Sequence, residues 1–292
     1  MDLRALRVVV TIAEHGSVTR AAASLHHSTS AVSHTLVTLE TELGVDLFHR
    51  LPRGMALTDA GEVFLAAARR ALHEAEVARA SVDAIRGLVA GQVSIVAAMG
   101  LSVALADLIG AFARRYPSVV VVVLPPQSPD GVTEMVRSGA CEVGFTWNAA
   151  VPTDLRAAPV FVDPSAMVVP EGHQLAGQNS VHIGDLRGER MVAPLATSTM
   201  RPAFDELFRR HGVEPVVVAE AATNEMVLEL VRAAVGCTVT FASSADSVTG
   251  RGALALPIVD QRPNNFLLVT RIRQEPTPAA QAFCDLAAER LP

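Results

Sequence analysis

Five hydrogen-bonding side chains and one valine lie together with the types and spacing to meet a polyanion. Ser28 is followed at helical steps by Thr29, Ser30, Ser33, His34 and Val37, a short, polar, uncharged face. Small hydroxyls allow close approach and can donate to phosphate oxygens or to base edges. Positive charge flanks this face: Arg20 precedes it, Arg50 and Arg53 follow it, and no Arg or Lys lies between Arg20 and Arg50.

Two short helices at a sharp angle would present such a face. Ser17 is placed to cap the first, in which Ala21, Ala22 and Leu25 form a small packed surface. His26 and His27 interrupt the pattern. As adjacent residues they do not face one another, so they read as turn or groove-facing residues rather than metal ligands. Ser28 caps the second helix, Val32, Leu36, Leu39 and Leu43 point inward, and Gly44 supplies the positive φ that ends it. This is a helix-turn-helix, whose second helix enters the DNA major groove. Pro52 and Gly54 turn a hairpin that carries Arg50 and Arg53, a wing suited to phosphate or minor-groove contacts. Ahead of these elements, Leu3, Leu6, Val10 and Ala13 mark the inner face of a first helix. A free imidazole titrates near pH ~6.5, so His34 on the reading face predicts tighter DNA binding in mild acid.

The stretch resembles the N-terminal winged helix-turn-helix of LysR-type transcriptional regulators. The matching residues are Gly16-Ser17, Ala21-Ala22, Leu25, Ser28, Ala31-Val32-Ser33, Leu39-Glu40, Leu43-Gly44, Leu47-Phe48, Arg50, Leu57-Thr58 and Ala60-Gly61. Thr29 stands where the family often has Gln, and His34 where it often has Arg. The resemblance implies a reader of promoter inverted repeats that assembles as a dimer of dimers, and it leaves RNA polymerase open as a partner.

With 292 residues, half of them hydrophobic, the chain can build two or three domains. All 24 basic residues are Arg, and the net charge of −6 does not by itself advertise a nucleic-acid binder. The apolar runs at the N-terminus and at 119–126 are far shorter than the ~20 residues of a membrane span, so no membrane role and a cytoplasmic location are expected. Cys141, Cys237 and Cys284 are widely spaced, without CxxC or a Cys-His cluster. They read as small core hydrophobes, not as a zinc site or a thiol sensor. No cofactor or metal is implied. GxSxG, P-loop and HExxH motifs are absent, which argues against an enzyme.

Beyond Thr58, a helix to about Leu88 carries Phe64, Ala68, Ala71, Ala75, Ala78, Val82 and Ile85 in alternating steps of four and three. Such a repeat is a coiled-coil seam that pairs two chains. From Gln92 onward strands alternate with helices, which predicts parallel sheets covered by helices. RYP at 115–117, GxCExGFT at 139–146 and VxAAVGCTVT at 231–240 are similar to the two-lobed effector domain of the same family, itself shaped like a type 2 periplasmic binding protein. The expected fold is therefore an N-terminal winged helix-turn-helix (1–60), a linker helix (61–90) and a two-lobed α/β effector domain (91–292). Lobe I comprises 91–162 and 264–292, and lobe II 163–263.

Ligands of open α/β sheets sit beyond the carboxyl ends of strands, where helix N-termini favour anions. Gly100 and Ser102 lie at one such place; Thr197, Ser198 and Thr199 lie at another. Ser102, Ser198 and Thr199 are expected to hold a small organic acid, with Gln127, Ser128, Thr146, Trp147 and Thr223 as walls. A pure small-molecule binding protein and a regulator without an effector remain as alternatives.

Overall fold

The computed structural model describes every residue except 53, 86–87, 98–101, 127, 129, 148–149, 260 and 291–292, and the side chains of 83–85 and 102–104. Among the described residues the chain forms two compact units, Met1–Leu88 with Ser138–Ala140, and Val89–Arg137 with Cys141–Pro292.

The first unit runs α1 (Leu3–His15), α2 (Val18–Ser24), α3 (Thr29–Leu43), β1 (Phe48–Leu51), β2 (Gly54–Leu57) and α4 (Asp59–Ile85). Side chains cap each helix start. Asp2 Oδ1 accepts from Ala5 N–H at 2.8 Å, Ser17 Oγ from Arg20 N–H at 3.4 Å, Ser28 Oγ from Ala31 N–H at 3.2 Å, and Thr58 Oγ1 from Gly61 N–H at 3.0 Å. Gly16 (φ 60°) and Gly44 (φ 71°) end α1 and α3 in the left-handed region. Val9, Ile12, Ala21, Ala22, Val32, Leu36 and Leu39 form the core.

Three expectations need correction here. On α1 the buried residues are Ala5, Leu6, Val8, Val9, Thr11 and Ile12, while Leu3 is exposed and Val10 and Ala13 are half-buried. Apolar side chains surround most of this helix, so packing against α2, α3 and α4 sets its phase. Leu43, expected inside, is exposed at the last turn of α3. The α4 seam is not one free stripe. Ala68 is buried and Phe64 packs on the core of the same chain, whereas Ala71, Ala78 and Val82 are exposed and Ala75 is half-buried. The Ile85 side chain lies outside the described residues.

The wing hairpin pairs Phe48–Leu51 antiparallel with Gly54–Leu57. Its register is tied to the α1–α2 turn, because Met55 N–H donates to Gly16 O at 2.9 Å. A Cβ at Gly54 would sit 2.5 Å from that carbonyl oxygen, at a φ of +138°. Only glycine fits there. Glu40 Oε1 accepts from Leu47 N–H (2.8 Å) and Phe48 N–H (3.3 Å), fixing the entry to the wing.

The second unit contains β3 (Gly91–Ala97), α5 (Ser102–Arg115), β4 (Val119–Leu124), α6 (Gly131–Arg137), β5 (Val143–Trp147) and β6 (Leu155–Asp163), then β7 (Ser165–Pro170), β8 (Arg190–Pro194), α7 (Arg201–Arg210), β9 (Val216–Ala221), α8 (Asn224–Arg232), β10 (Thr238–Phe241), α9 (Ala242–Ala245) and β11 (Ala253–Pro257), and finally β12 (Asn264–Arg271) and α10 (Pro278–Arg290). Lobe I is a five-stranded sheet of order β4-β3-β5-β12-β6. Its first three strands are parallel, but β12 runs antiparallel to both β5 and β6, so the sheet is mixed rather than wholly parallel. A strand that returns after a whole lobe has no crossover helix to force it parallel.

In lobe II, β7 pairs antiparallel with β10 and β11, and β8 pairs parallel with β9. A bridge at Met191 and Cys237 joins the two pieces, with Cys237 N–H donating to Arg190 O and Val192 N–H to Cys237 O, both at 2.7 Å. Separate hydrophobic clusters cover the two faces of this lobe, around Met167, Met191 and Phe208 and around Val192, Val227 and Val231. Where strands cross between lobes, buried Asp163 accepts from both N–H and Oγ–H of Ser243, and Asn264 Nδ2 donates to Asp163 O (2.9 Å) and Ser165 Oγ (3.1 Å).

Candidate nucleic-acid interface and ligand cleft

On α3 the inward residues Val32, Leu36 and Leu39 turn the opposite side outward. Thr29, Ser30, His34 and Val37 are exposed, and Ser33 is half-buried. The Ser28 hydroxyl caps the helix and lies 3.1 Å from Ser30 Oγ. His34 Nδ1 lies 3.5 Å from Thr38 Oγ1, one turn along. Arg20 on α2 and Arg50 on β1 are exposed; Arg53 lies outside the described residues. The face has donors and acceptors in water but little charge of its own. Glu40, which the sequence reading left without a task, is the residue that positions the wing.

Between the lobes, Pro125 and Pro126 face Leu195, Thr197, Ser198, Thr199 and Ala222 across a concavity of about 140 Å³. Three of the sequence-predicted ligand residues meet here. Ser198 is buried, and its Oγ accepts from Met200 N–H at 3.2 Å. Thr199 Oγ1 is buried without a hydrogen-bond partner. Arg201, the first residue of α7, fixes this corner: Nη1 donates to Pro194 O (3.0 Å) and Glu220 Oε1 (2.7 Å), and Nε to Asp205 (2.8 Å).

The expected walls are mostly occupied elsewhere. Thr223 Oγ1 caps α8 by accepting from Met226 N–H at 3.3 Å. Trp147 packs edge-on against Phe241, with centroids 5.3 Å apart, and is tilted against Phe266. Thr146 is buried within β5, and Ser128 Oγ donates to Glu134 at 3.1 Å. None of these four lines the concavity. Gly100, Gln127 and the Ser102 side chain lie outside the described residues.

One cluster arises that spacing did not foretell. His173, Glu189 and Cys237 each place a ring nitrogen, a carboxylate oxygen or a sulfur within 4.8 Å of the others. Metal binding is opposed by the hydrogen bonds. His173 Nδ1 accepts from Leu175 N–H at 3.2 Å, which leaves the proton of the neutral ring on Nε2, 3.1 Å from Glu189. A protonated ring nitrogen has no lone pair for an ion. Burial, with help from the Glu189 carboxylate, pushes the Cys237 thiol up to about 12. Burial likewise pushes Cys284 up to about 12, and none of the three cysteines is in a disulfide.

A winged helix-turn-helix followed by two α/β lobes around a concavity defines a class: DNA-binding regulators that carry a ligand-binding domain on the same chain. Residues 3–62 match the profile of the bacterial regulatory helix-turn-helix proteins of the lysR family, and residues 86–292 match the LysR substrate binding domain. The chain is 30% identical to the Hca operon transcriptional activator HcaR of Escherichia coli, over all of this chain and 98% of that one. Its fold is similar to full-length OxyR from Pseudomonas aeruginosa (TM-score 0.77, 22% identity, 99% and 94% of the two chains). It is also similar to full-length CbnR complexed with its target DNA (TM-score 0.69, 24% identity, 99% of each chain). This chain belongs to the LysR family of transcriptional regulators, and is a DNA-binding regulator with a substrate-binding-type effector domain. Among the described residues no helix is long and apolar enough to cross a membrane.

Proposed function

We propose that α3 reads an inverted-repeat promoter as one half of a dimer, and that a small organic anion between the lobes modulates this reading. Thr29, Ser30, Ser33, His34 and Val37 face base edges, while Arg20, Arg50 and Arg53 hold phosphates. With so few cations on the face, backbone contacts position the head and short hydroxyls specify the sequence. Residues 1–60 form the reading head. Residues 61–90 pair two chains through Ala71, Ala75, Ala78 and Val82. Residues 91–292 sense the ligand. Pairing doubles the phosphate contacts, which a chain of net charge −6 needs.

The observation that carries the sensing role is Thr199 Oγ1, a buried hydroxyl without a partner on the wall of the inter-lobe concavity. Buried polar groups without partners are rare and costly, and a carboxylate oxygen would satisfy this one. A ligand changes DNA reading only if it binds one arrangement of the oligomer better than another.

Selection of genomic fragments by the purified protein, with and without metabolite acids, tests the whole reading. Recovery of a few sites with dyad symmetry, shifted by one acid and insensitive to it in Thr199→Val, is the expected result. Retention of fragments without sequence preference would refute the reader. Acid-independent retention across the set would refute the sensor.

A further inference from the structure

The head meets a polyanion with no surplus of fixed positive charge. Residues 1–60 carry five arginines against six carboxylates, so their side chains sum to −1 with histidine neutral. Yet five of the nine histidines fall in this stretch. His15 is half-buried; His26, His27, His34 and His49 are exposed. Three of them gather along the reading helix. His26 and His27 make the turn into α3, their N–H groups held by Ala23 O (3.2 Å) and Ala22 O (2.9 Å), directly before the Ser28 cap. His34 follows on the outer face of α3, and His49 precedes Arg50 on the wing. A recognition helix contacts bases through its N-terminal residues, which sets the turn before it at the margin of the groove. His26 has a left-handed φ of 54°, which a side chain adopts at a cost that glycine avoids. Among the described residues His26, His27 and His49 have no side-chain partner, and His34 has only the Thr38 hydroxyl at 3.5 Å. The carboxylates around α3 are engaged. Asp2 and Glu42 line a groove with His34, but Asp2 caps α1 and Glu42 accepts from the Met1 amino group at 3.0 Å. Glu40 holds the entry to the wing. The cations on the elements packed with α3 and on the wing are Arg4 and Arg7 of α1, Arg20 of α2 and Arg50 of β1.

We propose that these histidines make the head a proton-coupled reader: DNA binding takes up protons on His26, His27 and His34, and mild acid tightens it. The inference rests on the reading of α3 as the DNA-contacting helix. An imidazole in water titrates near pH ~6.5, and phosphates favour its charged form. Protons then raise DNA affinity by the factor by which DNA raises proton affinity. The added affinity is absent in alkali, grows as pH falls through the titration of the complex, and is complete once the free imidazoles are charged as well. Protonating the four exposed histidines would move the head from −1 to +3. Each charged imidazole at a phosphate releases a counterion, so the salt dependence steepens with the affinity.

The test measures binding of the full chain to a mixed-sequence duplex of ~30 base pairs, at about pH 8 and about pH 5.5 with salt held at ~100 mM. Affinity should be roughly tenfold or more higher in acid, with a salt slope steeper by about one to three ions. Calorimetry near pH ~6.5 in two buffers of different ionisation enthalpy should show about one to three protons taken up per head. The triple variant His26→Gln/His27→Gln/His34→Gln should keep the weak alkaline affinity at both pH values. His27→Arg/His34→Arg, whose charge is permanent, should bind tightly at both, which separates lost charge from lost folding. Glu14→Gln is the control for a head carboxyl that burial raises against the pull of Arg69 and His15, and it should keep the wild-type response. Equal wild-type affinity at the two pH values would overturn the proton coupling and leave the reader standing. A response that survives in the triple variant, or that Glu14→Gln removes, would overturn it by placing the titration elsewhere. No DNA binding at either pH would overturn the reader and the coupling together.

Discussion

The polar face of α3 and the loop at 195–199 look alike in the sequence. Each is a run of Ser and Thr at the start of a helix. In the head, Ser28 completes a cap and the hydroxyls beyond it stand in water, where nothing is owed to them. In the loop, Ser198 also completes a turn, but Thr199 Oγ1 is sealed from water with no partner. Exposed polar groups offer contacts at no cost to the folded state; a buried unpartnered one is a standing deficit of about 1–3 kcal/mol. The first arrangement suits a large partner that arrives with its own hydration, the second a small one that must be enclosed.

The sharpest way to separate the two regions is to destroy one core. Leu36→Ala should cost roughly 2–5 kcal/mol, abolish DNA retention and lower the first unfolding transition, while calorimetric ligand binding by the lobes persists. Loss of both activities together would show that the contrast between regions is not functional. Within the head, Thr29→Ala should relax base preference by about 1–3 kcal/mol at one position. Arg50→Ala should instead weaken all sequences alike and reduce the salt slope by roughly one ion per chain. Competition binding at several salt concentrations distinguishes them.

In the cleft, Thr199→Val should raise the thermal stability of the free protein by about 1 kcal/mol and weaken the effector response. A destabilised variant would mean that the hydroxyl already has a use. Ser28→Ala should cost about 1 kcal/mol through its cap, measurable by chemical denaturation, with base preference unchanged. The last effect appears only in alkali. Cys237 and Cys284 are raised to about 12 in the fold from an ordinary 9. Their protonated forms are favoured by the folded state, so this contribution is intact below pH 9 and lost as pH climbs through 9 to 12. Replacing both with Ala should flatten the fall in stability over that window.

Much of the head was legible because its signals are local. Ser17, Ser28, Gly16 and Gly44 mark helix ends within a few residues of where they act. The phase of α1 was not legible, since Val8, Val9 and Val10 offer apolar surface on adjacent faces and only the neighbouring helices choose among them. Strand β6 escaped notice because LRAAPVFVD is a sheet edge, with Pro159 tolerated and no alternation. Its neighbour β12 returns from over a hundred residues away, which is why a mixed sheet read as parallel. Thr146 and Trp147 looked like ligand walls by residue type, yet burial in β5 and ring packing against Phe241 and Phe266 absorb them.

The bond from Met55 N–H to Gly16 O has a practical reading for anyone recombining these regulators. The wing is not a separable cassette. Its hairpin is threaded onto a backbone carbonyl nearly forty residues upstream, with Gly54 leaving no room for adjustment. A chimaera that imports a foreign wing alone would carry a loop cut for another turn. The smallest transplantable piece runs from Gly16 to Gly61, and exchanges of specificity between relatives should be designed at those joints.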